Sequence, residues 1–104
     1  MIRQFDVFRN PIAAVRDEQP YVVTIQHHDL DHLRTRLTAP LASERVVRVA
    51  TPLHPVFRVE GRTVYLLPQN LLAFPLPLLR RALTNLEAER DRIVAAVDMT
   101  ITGV

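Results

Sequence analysis

A chain of 104 residues without cysteine has neither disulfides nor thiolate ligands, and must cohere by burying roughly 60–70% of its unfolded surface. The net charge is +2 with histidine neutral, all 13 cations are arginine, and they form no basic run, which argues against direct nucleic-acid binding. The opening MIRQFDVF has no apolar run long enough for a signal peptide or a membrane span, so one cytoplasmic domain over residues 1–104 is expected.

Eight prolines and two glycines cut the first three quarters into short pieces, a pattern of strands and turns. Residues 4–8 alternate, with Phe5 and Val7 on one side and Gln4, Asp6 and Phe8 on the other. Residues 21–26 repeat the pattern, Tyr21, Val23 and Ile25 facing together, and both segments are predicted strands. Residues 34–41, closing at Pro40, and residues 46–50 are further strand candidates. In VFRVEGRTVYLL, residues 56–67, two β-rich runs flank Glu60-Gly61, where glycine supplies the positive φ of a tight hairpin turn. FPLPLL, residues 74–79, is expected to stay extended as far as Pro77, because each proline pushes its predecessor out of the helical region.

The period then changes. Thr84-Asn85-Leu86-Glu87 has the spacing of a capping box and predicts a helix starting there. Leu86, Ile93, Val97 and Met99 or Ile101 give an inward stripe, Glu87 with Arg90 and Glu89 with Arg92 can pair outside, and Gly103 ends the helix. Antiparallel strands followed by one terminal helix make a β-rich α+β fold or small barrel.

Catalytic signals are thin. In QHHDLDHLRTR, residues 26–36, His28 and His32 would share a helix face and could bind a metal with Asp29 or Asp31; a solvated loop, with His27 beside them, is the stronger reading, and no cofactor or metal is expected. Ser43 is the only serine and lies outside any nucleophile elbow, and two isolated glycines exclude a phosphate-cradling loop. His54 with Arg58, Arg48 or Glu60 could serve a metal-free nuclease, although such residues are common on any surface. On the helix, Asp91, Ala95, Asp98 and Thr102 line the face opposite the apolar stripe. Asp98 falls in the last turn, where the helix dipole disfavours a carboxylate. A row of small and acidic side chains running to Gly103 and an apolar end describes a docking edge.

The order of features resembles the CcdB family of toxins: a QFDVF strand, YVVTIQ, the D-L-D-H-L-R-T-R-L loop into PLA at 40–42, a hairpin, P-L-P, and the ending IVAAVDMTITGV. The resemblance implies an SH3-like antiparallel barrel with a small hairpin wing and a C-terminal helix, assembled as a homodimer. It implies a non-enzymatic toxin that wedges into the DNA gyrase A subunit, traps cleaved DNA, and is neutralised by a cognate antitoxin. Gyrase contact would fall to Leu30, Ala95, Asp98, Thr102, Gly103 and Val104, and dimer contact to Met99 and Ile101. Arg9, Arg16 and Arg45 could attract an acidic antitoxin segment. Thr102 stands where the best-known member has tryptophan, and Asp29 where an apolar residue is usual. The alternatives are an endoribonuclease toxin on a related barrel, using His54, Arg58 and Glu60, and an antitoxin-binding homologue without toxicity, which Thr102 favours.

Overall fold

Period-two alternation at the N-terminus becomes a two-faced sheet. In β1 (Asp6–Arg9) Val7 enters the main core while Phe8 joins a second apolar cluster on the other face, and in β2 (Tyr21–Thr24) Val23 and Val22 divide the same way. The computed structural model describes residues 1–103. Val7 lies opposite Val23 in the antiparallel β1–β2 pair. Phe5, just before β1, is held at φ 70° with its ring fully buried; its amide donates to the Thr24 carbonyl at 2.6 Å and its carbonyl accepts from Leu86 at 2.9 Å.

β3 (Thr35–Ser43) is the spine of the sheet. One edge pairs with β2, and the other is shared between β6 (Leu72–Pro75), opposite residues 35–38, and β5 (Arg62–Leu66), opposite residues 41–43. Pro40 sits in the gap where the partner changes, so its missing N–H costs no ladder bond there, while its carbonyl accepts from Leu67 at 3.0 Å. The strand therefore continues past the predicted stop at Pro40 to Ser43.

β4 (Val56–Val59) and β5 form the predicted hairpin, with Glu60 at φ 51° and Gly61 at φ 77°, as a type I′ turn requires. β7 (Thr84–Asn85) closes on β1, giving the order β4-β5-β3-β2-β1-β7 with β6 also on β3. The result is a nearly closed antiparallel barrel with one C-terminal helix, the SH3-like β-rich α+β class.

Three local expectations fail. Residues 46–50 form turns and bends with Val46 and Val49 exposed, because among the described residues no strand lies beside them to pair with. Residues 76–78 make one 3-10 turn with Pro77 inside it, a position the ring tolerates because a first-turn N–H has no partner to lose. The helix starts later than Thr84: the Thr84 and Asn85 backbones are taken by Val7 and Asp6, and the Asn85 Oδ1 accepts from the Glu87 amide at 2.7 Å. A 3-10 turn over Glu87–Glu89 then leads into α1 (Arg90–Thr102).

Ile93 and Ala96 are the buried residues of α1 and pack with Phe5, Val7, Leu41, Leu66 and Leu86. Burial of an isoleucine side chain contributes about 1.5–3 kcal/mol. Val97 and Met99 are only half-buried and Ile101 is 65% exposed, so the expected stripe reaches the core at Ile93 and then leaves it. Glu89 and Arg92 pair at 2.7 Å as expected, whereas Arg90 turns to the Gln4 side chain at 3.2 Å and to the Phe5 ring.

Candidate functional site

The last two turns of α1 run beyond the buried contacts of the barrel. Asp91, Ala95, Asp98 and Thr102 are all exposed, as a row at helical spacing opposite Ile93 predicts. The ridge they form has a cleft on either flank. One, of about 340 Å³, is lined by Ala50, Thr51, Pro52 and Pro55 of the β3–β4 connection with Arg92 and Ala95. The other, of about 180 Å³, lies between Phe5 and Ile25 on the sheet side and Ile93, Val94, Val97 and Asp98 on the helix.

The end of the helix is finished locally. Thr100 and Thr102 donate their hydroxyls to the Ala96 and Asp98 carbonyls at 3.0 and 2.7 Å, and the Gly103 amide donates to Met99 at 3.0 Å with Gly103 in the left-handed region at φ 78°. Thr102 and Gly103 are exposed rather than folded back on the barrel. Val104 lies outside the described residues. The Asp98 carboxylate has no ion-pair partner among the described residues, so its charge faces outward from the negative end of the helix. Met99 is half-buried and Ile101 exposed, on opposite flanks of this ridge, since residues two apart on a helix do not face each other.

Arg92 anchors the ridge to the sheet. Its guanidinium donates to the Val56 carbonyl at 2.6 Å, pairs with Glu89 and lies 4.6 Å from the centre of the Phe57 ring. The sequence shows only the Glu89–Arg92 spacing; the β4 contacts require the fold.

Leu30, the remaining predicted contact, is 44% exposed in a 3-10 turn over His28–Leu30. β2 leads into this turn through Ile25, which also lines the Asp98 cleft. Arg36, buried in β3, braces the turn by donating to the carbonyls of Asp31, Leu33 and Thr35 at 2.8–3.0 Å. The 3-10 turn ends at Leu30 and does not extend to His32, so His28 and His32 do not share a helical face; His27, His28 and Asp29 cluster instead.

His54, Arg58 and Glu60 are engaged separately. His54 meets Gln69 at 3.3 Å, Arg58 donates to the Gly61 carbonyl at 2.9 Å, and Glu60 accepts from the Tyr21 hydroxyl at 3.1 Å. Burial pushes the Tyr21 phenol above its ordinary value of 10.0, the Glu60 hydrogen bond and charge push it further, and Arg62 opposes them. No hydrogen bond or ion pair joins the three residues among those described.

A family model described as CcdB protein matches residues 4–103. The chain belongs to the CcdB family. Membership supports the role of toxin in a toxin–antitoxin pair. No curated protein sequence matches the chain. Among solved structures, one described as "Endoribonuclease in complex with its cognate antitoxin from Mycobacterial species" superposes with a TM-score of 0.77 over 97% of this chain and 95% of that one. Its sequence identity is 13%, and the likeness carries the barrel fold of this CcdB-family chain alone.

Proposed function

We propose that this CcdB-family protein is a single-domain, non-enzymatic toxin over residues 1–104, which acts as a homodimer in the cytoplasm on the DNA gyrase A subunit. It holds the enzyme on cleaved DNA, and a cognate antitoxin neutralises it. The observation that carries the reading is the free end of α1, where Ala95, Asp98 and Thr102 stand exposed in one row leading to Gly103. With Val104 and Leu30 they form the gyrase contact, and Met99 with the exposed Ile101 supplies apolar surface for the second subunit. A two-fold dimer presents the ridge twice, which suits a target with its own two-fold axis. Thr102 offers less contact area than an aromatic anchor, so Asp98 and the backbone around Gly103 carry a larger share of the affinity.

The test is a supercoiling and DNA-cleavage assay with purified host gyrase. Accumulation of stalled, cleaved DNA supports the proposal, and Asp98→Arg lowers gyrase affinity about tenfold or more while melting temperature holds. Degraded RNA with untouched gyrase transfers the function to an endoribonuclease, the activity named for the solved structural relative. Binding of antitoxin without either activity identifies a non-toxic homologue.

A further inference from the structure

The turn after β2 sets three metal-ligating side chains in consecutive positions. Ligand atoms of His27, His28 and Asp29 lie within 4.8 Å of one another, all on exposed residues. His28 Nε2 is 3.3 Å from Asp29 Oδ1, and His27 Nδ1 is 3.6 Å from Asp29 Oδ2. Two ligands each about 2.0–2.1 Å from a tetrahedral ion stand about 3.4 Å apart. Each separation is close to an edge of such a shell, the two running to different oxygens of the Asp29 carboxylate, so rotation of that carboxylate is needed to bring one oxygen to both rings. The imidazoles lie with centroids 4.1 Å apart and planes inclined by 32°, closer than two rings on one tetrahedral ion, so both exposed rings turn apart as the ion enters.

The backbone beneath is fastened before any ion arrives. The amides of Leu30 and Asp31 donate to the carbonyls of His27 and His28, and Gln26 Nε2 spans the loop to the carbonyls of Leu30 and Thr35. Arg36 braces the segment from below through Asp31, Leu33 and Thr35. Preorganisation of this kind reduces the ordering cost of binding.

We propose that His27, His28 and Asp29 bind one borderline divalent transition-metal ion, Zn²⁺, Ni²⁺ or Cu²⁺, with water completing the shell. Two imidazoles and one carboxylate suit these ions and not Ca²⁺ or Mg²⁺, which require mostly oxygen ligands. Ligation by His27 Nδ1 displaces the Asp29 amide, which donates to it at 3.1 Å, and that exposed amide then bonds to water. His32 lies outside the cluster, in the turn that follows, so the site differs from a helical His28–His32 pair.

Titration of the full-length, tag-free chain with Zn²⁺ and with Ni²⁺ by calorimetry tests the assignment, with circular dichroism confirming that every variant is folded. One ion per chain is expected. His27→Ala and His28→Ala each weaken binding by about tenfold or more, the scale of loss that even outer-shell changes cause at metal sites. His32→Ala and His54→Ala leave it unchanged. Absence of binding, or binding that survives the His27→Ala/His28→Ala double variant, overturns the proposal, and either result leaves the gyrase reading untouched.

Discussion

Arg36 is 5% exposed, its side chain is committed to three carbonyls, and its Nε, without a hydrogen-bond partner among the described residues, lies 3.7 Å from Asp31 Oδ1. Arg36→Ala removes three hydrogen bonds from a charged donor and is expected to cost about 2–3 kcal/mol. Urea unfolding measures the loss, with faster amide exchange over residues 28–35 as its local signature. Tyr21 gives a pH signature of its own. Because burial and then Glu60 raise its pKa, the folded chain keeps a proton that the unfolded chain gives up near pH 10. Its contribution is whole below about pH 10 and is lost as pH rises through the folded value, since the unfolded state then binds fewer protons. Tyr21→Phe should flatten the fall in urea midpoint above about pH 10. An equally steep fall in that variant would show that another group is responsible.

The β4–β5 hairpin depends on two consecutive positive-φ residues, and Gly61 has open space where a Cβ would stand. Gly61→Ala therefore meets only backbone strain, about 1 kcal/mol in thermal unfolding. Ile93→Ala removes the helix's deepest side chain and should cost about 3 kcal/mol, enough to loosen α1 on the sheet. The same elements show what the sequence could reveal. The hairpin was legible because strand propensity and turn chemistry agree locally, and β1 and β2 because alternation matches their two buried faces. The start of α1 was not, because Thr84 suits a cap yet its backbone is used by β1, 77 residues earlier at Val7. Residues 46–50 are rich in valine like a strand but, among the described residues, have no strand beside them to pair with, and Pro40 is tolerated only because β3 changes partner beside it. Of the candidate site, the exposed ridge on α1 followed from helical spacing. The Arg92 contacts and the His27–Asp29 cluster depended on tertiary placement and an unpredicted 3-10 turn.

For the molecule as a whole, the ridge and the core are separable: Ile93 and Ala96 hold α1, while Thr102 and Gly103 touch water. Deleting residues 102–104 removes the Gly103 cap bond and should cost about 1 kcal/mol or less. It should also abolish growth arrest on induction, and arrest that persists in a folded truncation would place the contact elsewhere. Closure of the barrel has another outcome. β1 is completed only when Asp6 and Val7 receive Asn85 and Thr84, and Phe5 is covered only when Leu86 and Ile93 arrive. Such distant pairings fold slowly, because the intervening chain must lose its freedom before any contact rewards it. A ribosome therefore releases nothing finished until the final helix has been made. Any message cut short before that point yields an open sheet, fit for proteolysis, instead of a feebler toxin.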